Sequence, residues 1–341
     1  MNERTRTQGS APVFVSALVR AFQRPIAWTF GLFALSGMAV VASLPVYRWF
    51  ADTVDNAYEP NELLHHLDVN FRTDHAEGLA QLFRTVGTSA DWMMAVVVLI
   101  GVFSAGGWLR TLVDPGTYAA RRLFYAGGAR YFWRFLRFAV VVIVLLGLFG
   151  TLLYHADSQS WQNRVLAGWP EGKSERALSE RSVVYVQWAR DGLFALLTFG
   201  VLAWACLVRT RIVLQNRRSV VLAALQTSWL VLRHPLVTLR PLVILTVIEG
   251  LLLLGAGGVG RLVQGGLADD GGVWRVILLF AIGGITISIS EIVQGARYAA
   301  SVDVSRSFVR PIAIDPWRDR VGGPGGPQYP VGPDDDYTIA V

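Results

Sequence analysis

The stretch "YAGGARYFWRFLRFAVVVIVLLGLFG", residues 125–150, decides the reading of the chain. Its first half carries Arg130, Arg134 and Arg137 at i, i+4 and i+7, interleaved with Tyr131, Phe132, Trp133, Phe135 and Phe138. Its second half has no charge at all. Arginines among aromatic residues also suit nucleic acid. Here, however, they abut an apolar run, and a bilayer core takes about 20 apolar residues as a helix. Aromatic rings and arginine heads both settle in the headgroup layer. The stretch therefore reads as a membrane surface followed by a membrane span, and nucleic acid is excluded as a partner.

Composition extends this reading to the whole chain. Of 341 residues, 53% are hydrophobic and only 16% are charged, where a soluble domain carries about 25% charge. The mean hydropathy is +0.42. The basic residues are 30 Arg and a single Lys, Lys173, a skew expected of a GC-rich bacterial genome. The one cysteine, Cys206, lies in an apolar run and can form no internal disulfide. The first 25 residues are polar and basic and hold no cleavable signal pattern.

Six apolar stretches predict membrane helices: Ile26–Tyr47, Trp92–Leu109, Phe138–Ala156, Gly192–Val208, Pro241–Gly260 and Val276–Ala296. Irregular backbone cannot face lipid, so each is expected to be helical. The fourth is short, and the preceding "VVYVQWA" can extend it past Arg190 and Asp191. Loop charge gives the orientation. Segments 1–25, 110–137, 209–240 and 297–341 hold 21 of the 30 arginines and eight acids. Segments 48–91, 157–191 and 261–275 hold nine arginines, Lys173 and fifteen acids. The expectation is a bacterial inner (cytoplasmic) membrane protein with both termini cytoplasmic.

A threefold pattern overlies these spans. Each odd-numbered span follows an amphipathic, arginine-bearing stretch. The first is "FVSALVRAFQRPIAW", with Phe14, Leu18 and Phe22 on one face and Arg20 and Arg24 on another. The second opens the stretch quoted above. The third is "VVLAALQTSWLVLRHPLV", just after Arg217 and Arg218, with Val221, Leu225, Trp229 and Leu232 on one face. Such helices lie in the headgroup region with arginines toward phosphates. Pro25 and Pro235 sit at corresponding turns into the next span. The predicted class is all-α: six spans, cytoplasmic-side interfacial helices and a threefold helical repeat.

The layout resembles a broad group of bacterial six-helix membrane domains of mostly unassigned function. One of them is fused to glycerophosphodiester phosphodiesterases. The resemblance is carried by "SAGGWLRTL" (104–112), "YAGGARYFWRFLRF" (125–138) and "SVVLAALQTSWLVLRHP" (219–235). It implies a membrane domain over about residues 12–305, with 1–11 and the cytoplasmic tail 306–341 outside it. It carries over no catalytic residue. From about residue 321 the tail, "VGGPGGPQYPVGPDDDYTIAV", is expected to be disordered on composition.

The candidate site residues are few. Glu249 lies nine residues into the fifth span, where a carboxylate costs roughly 2.5–3.5 kcal/mol on insertion scales. Glu291 lies six residues before Arg297 in the sixth span. In an antiparallel hairpin the two depths match, at very roughly 10 Å from the cytoplasmic edge, with Ser288 and Ser290 nearby. They read either as a cation or proton site, since two close anions resist joint ionisation, or as structural carboxyls, each protonated or bonded to a neighbouring helix, or with Glu291 reaching the interface. Arg20, Arg24, Arg130, Arg134, Arg137, Arg217 and Arg218 are expected to meet anionic lipid headgroups. In the first outer loop, His65, His66, Asp68, Asp74 and His75 are competent zinc ligands, but their spacing matches no zinc pattern. That loop reads instead as short amphipathic helices on the outer surface. Neither a metal nor a cofactor is expected. Small-residue pairs, Gly101/Ala105 and Ala256/Gly260, are expected to let helices approach closely.

No phosphate loop, HEXXH or GXSXG motif is present. Three function classes remain. The first is a non-catalytic scaffold or envelope-organising protein, with membrane-protein partners or self-association. The second is a transporter component using Glu249 and Glu291. The third is a lipid enzyme at the membrane surface.

Overall fold

A computed structural model describes residues 13–54, 73–114, 119–154, 180–217, 219–265 and 273–308. The described residues form eight helices: α1 (Val13–Phe22), α2 (Pro25–Val54), α3 (Ala76–Val113), α4 (Ala120–Tyr154), α5 (Glu180–Leu214), α6 (Val220–Arg233), α7 (Pro235–Gly265) and α8 (Val273–Phe308). Six of them, α2–α5, α7 and α8, are long and apolar enough to cross a membrane. The expected N-terminal and C-terminal tails, Arg218, and the ligand candidates His65, His66 and Asp68 lie outside the described residues.

Proline sets the helix breaks. Pro25 and Pro235 each occupy the first position of a long helix, where a missing N–H costs nothing. The residue before a proline is pushed out of the α region. Arg24 and His234 accordingly leave the helix, and α1 and α6 remain separate short helices. Ser219 starts α6 by accepting the Leu222 N–H on its hydroxyl at 3.3 Å.

The second amphipathic stretch behaves differently. Residues 120–138 contain no proline, and α4 runs unbroken from Ala120 to Tyr154. "YAGGARYFWRFLRF" is therefore the first half of a span helix, not a separate surface helix. Its Gly127, Gly128, Tyr131, Phe135 and Phe138 are buried. The repeat of separate helix plus span thus holds at α1–α2 and α6–α7 and lapses at α4. The outer-loop reading is corrected over its described part, from Ala76 onward; residues 61–72 lie outside the described residues. Ala76–Asp91 is continuous with α3: it opens on good helix formers, Ala76, Glu77, Leu79, Ala80, Gln81 and Leu82, and no proline intervenes. The fourth span does extend back past Arg190 and Asp191, to Gln187, within a helix that starts at Glu180.

Two of the motifs quoted above face each other. Gly106 and Gly107 of α3 cross Gly127 and Gly128 of α4. A Cβ on Gly106 would lie 2.8 Å from the Gly127 carbonyl oxygen and 3.1 Å from the Gly128 Cα. The Phe124 ring lies over Gly107 and the Phe103 ring over Gly128. Phe30 of α2 joins these rings, 5.7 Å from Phe103 and 5.3 Å from Phe124 between centroids. Gly101 and Gly260, expected to mediate close packing, have nothing within 4 Å of a built Cβ.

Burial is concentrated at the arginine-rich end. The core draws on Ala17 and Ala21 of α1, Val102–Leu112 of α3, Leu123–Val142 of α4, Ala205–Leu214 of α5, Leu242 and Leu245 of α7, and Glu291–Ser305 of α8. Beyond that level, only Leu82 and Leu153 are buried among the described residues. The far halves still touch within hairpins. Trp49 of α2 lies against Gly78 of α3, and Tyr154 of α4 donates its hydroxyl to Asp191 of α5 at 2.8 Å. The bundle is thus tied at one end and built of loosely joined hairpins at the other.

Candidate functional site

The polar groups inside the spans converge where α7 and α8 meet the core. Glu249 of α7 accepts from Ser290 of α8 at 2.6 Å and forms an ion pair with Arg297 of α8. Both charged side chains are largely buried, at 12% and 17% exposure. In a helix, residues 290 and 297 are two turns apart, so they share one face and clamp the carboxylate between them. The pairing sets Glu249 level with the stretch of α8 between Ser290 and Arg297, next to Glu291. It also gives Glu249 a cation partner within the chain.

Glu291 points elsewhere. It is buried and packs against Gly31 of α2, where any side chain would collide with its carboxyl group. The Trp108 indole of α3 lies on the same side of α8, over Gly295. Glu291 Oε2, Trp108 Nε1 and Ser104 Oγ are buried without a hydrogen-bond partner among the described residues. Ser104 and Trp108 are four apart on α3 and share a face. Glycine at 31 and 295 makes room for this insertion, a signal that sequence alone did not single out. Ser288 bonds its own helix, donating to the Gly284 carbonyl at 2.9 Å, and takes no part.

Other polar contacts also join helices. Arg20 of α1 makes a bidentate pair with Asp303 of α8, one arm at 3.0 Å. Thr210 of α5 and Ser301 of α8 share a hydrogen bond of 2.6 Å. Trp204 of α5 donates to Ser228 of α6 at 3.0 Å. Arg306 donates to the Val113 carbonyl at the end of α3, at 3.0 Å. Thus Arg20 is engaged within the protein.

Arg134 is engaged too. Its Nη1 donates to Asn216 O, Asn216 Oδ1 and Arg217 O at 3.2, 3.0 and 3.1 Å. Asn216 has φ +46°, the left-handed conformation that often ends a helix. Arg134 therefore caps the carbonyl end of α5, where a cation is favoured. Arg130 lies 5.8 Å from the Tyr131 ring centre and Arg137 is exposed. Arg24 and Arg217 are half-buried.

Arg209 was not singled out by the sequence because it sits at the end of an apolar run like any flanking charge. Its Nη1 donates to the Tyr298 hydroxyl at 3.0 Å. Its guanidinium carbon lies 6.0 and 5.9 Å from the ring centres of Phe135 and Phe138.

Cys206 is a buried free thiol, as a packing residue would be. Among the described residues no group of three His, Cys, Asp or Glu side chains could hold a metal ion. Comparison with known proteins returns no matching family model, no matching characterised protein and no matching solved structure.

Proposed function

We propose that the chain is a non-catalytic integral membrane protein that serves as a scaffold or organiser in a bacterial inner membrane, with both termini cytoplasmic. The observation that carries this reading is the use of the intramembrane polar groups. Glu249, Arg297, Ser290, Thr210, Ser301, Trp204 and Ser228 are spent on joining helices of this chain. A transport pathway commonly exposes such groups along broken helices; the apolar far halves of these hairpins suit contact with other membrane helices instead. The reading keeps the chain among the six-helix bacterial membrane domains that it resembles at residues 104–112, 125–138 and 219–235. Anionic lipid headgroups at Arg24, Arg130, Arg137, Arg217 and Arg218 are part of the same proposal.

A transporter reading has one observation in its favour, the Glu291 carboxyl buried inside the bundle against Gly31, with no cation paired to it among the described residues. Proteoliposomes loaded with a pH-sensitive dye separate the two. The scaffold reading expects no proton leak above empty vesicles under an imposed potential. A flux that Glu291→Gln abolishes, with the protein still folded and inserted, would replace it with the transporter reading. Reporter fusions at the two termini test the orientation.

A further inference from the structure

Neighbouring spans place the bilayer at different heights. α2 and α3 are held in register at two points. Phe30 is 5.7 Å from Phe103 between ring centres, and a Cβ on Gly78 would lie 3.3 Å from the Trp49 indole nitrogen. Residues 39–47 of α2 therefore run beside residues 81–91 of α3, in the opposite direction. The crossing of Gly106 with Gly127 sets α4 in the same way. Fifteen residues from Gly106 toward Ala76 lies Asp91, and fifteen from Gly127 toward Tyr154 lies Val142. Gln81, ten residues further along α3, is level with Leu152.

At that height the two neighbours are apolar and open. α2 exposes Val40, Val41, Leu44 and Tyr47, and α4 exposes Val144, Leu148 and Leu152. α3 is different. Gln81, Arg84, Thr85, Thr88 and Asp91 are all exposed, and at i, i+3, i+4, i+7 and i+10 they share one face. Thr85 and Thr88 donate their hydroxyls to the Gln81 and Arg84 carbonyls of their own helix, at 2.9 and 3.0 Å. Arg84 and Asp91 form no ion pair with another described residue. Lipid tails offer such heads no partner, and ionisable residues at bilayer depth almost always face protein or water. Here the protein leaves them uncovered. The apolar surface of α3 is correspondingly short. Between Asp91 and the first core residue, Val102, it exposes Trp92, Met94, Val96, Val97 and Leu99. That stretch is about 15 Å long, where a bilayer core is about 30 Å thick. A bilayer meets a short apolar stretch by thinning.

We propose that the half of α3 away from the arginine-rich end indents the bilayer. Water descends along Gln81, Arg84, Thr85, Thr88 and Asp91 to a floor at Trp92, while α2 and α4 keep lipid at full height beside it. The ligand is water, with headgroups of one leaflet drawn down around it. The indentation is blind, because the exposed residues of α3 beyond Asp91 are apolar. It gives the protein a means of thinning one leaflet locally. It requires only that the spans cross the bilayer and stands apart from the scaffold reading.

The test uses full-length protein carrying Cys206→Ala, reconstituted in vesicles of phosphatidylethanolamine and phosphatidylglycerol with a membrane-impermeant maleimide on both faces. Single cysteines replace Thr88 on α3 and, at the same height, Val41 on α2 and Val144 on α4. Thr88→Cys should react at least tenfold faster than Val41→Cys and Val144→Cys. Thr85→Cys, Leu44→Cys and Leu148→Cys repeat the comparison one turn higher and keep it decisive if a variant of the first set fails to insert. Equally fast reaction on all three helices would overturn the proposal by placing that height outside the bilayer. Equally slow reaction would overturn it as well, with lipid or another helix lying against the polar face of α3.

Discussion

Placing one methyl group at Gly106 tests the crossing that joins α3 to α4. A Cβ there meets the Gly127 carbonyl oxygen at 2.8 Å and the Gly128 Cα at 3.1 Å, and both are backbone atoms that cannot rotate aside. The helices must therefore move apart, loosening the ring contacts of Phe103 and Phe124 around them. Overpacking of this kind costs about 1–3 kcal/mol. Alanine also gains about 1 kcal/mol over glycine in a helix interior, which partly offsets the loss. Gly101, five residues earlier on α3, supplies the control. Nothing lies within 4 Å of a Cβ there, so Gly101→Ala keeps the helix gain alone. The two substitutions should thus move stability in opposite directions, separated by roughly 1–3 kcal/mol. Cys206, the chain's one cysteine, is buried and reports unfolding without an engineered thiol when a thiol-reactive fluorogenic dye is present during heating. Gly106→Ala unfolding at or above the midpoint of Gly101→Ala would refute the close crossing.

Three further perturbations probe the polar ties. Glu249→Gln and Arg297→Gln should each destabilise by about 3 kcal/mol, since each strands a buried partner, and the double variant should cost less than their sum; additive losses in the same dye assay would contradict the pairing. Arg20→Ala removes a pair that is about one-third exposed, at 37% and 33%, and should cost at most about 1 kcal/mol, less in high salt; a loss matching that of Glu249→Gln would show the pair to be buried in the membrane-embedded protein. Ser219→Ala should cost about 1 kcal/mol and speed hydrogen exchange over the first turn of α6, and unchanged exchange there would rule out the cap.

The spans were legible because hydropathy and flanking charge report directly on the solvent each residue meets. The breaks at Pro25 and Pro235 were legible because proline acts locally. The continuity of α4 was not, since arginine and aromatic residues at helical spacing suit both a surface helix and the buried half of a span. What separates them is whether Gly127 and Gly128 find a partner, and that partner, Gly106, lies on another helix. Glu249 was visible as an anomaly, but its cation was hidden: Arg297 reads as a flanking charge until the α7–α8 register is known. Arg134 misled for a related reason. Its capping target is a pair of carbonyls at the end of α5, and backbone acceptors leave no trace in residue type. Gly101 and Gly260 show the converse, small residues that permit an approach no neighbour makes.

The GG-to-GG crossing also sets the mechanics of the far end. With backbone against backbone, α3 and α4 cannot slide past one another there, so the crossing works as a fulcrum. Gly106 stands 30 residues beyond the start of α3 at Ala76, a lever arm of about 45 Å. A tilt of about 5° at the fulcrum, small enough to leave the crossing intact, would swing the distal tip of a rigid helix of that length by about 4 Å. Slight repacking at the arginine-rich end would thereby be magnified into a displacement of side-chain size on the opposite face of the membrane.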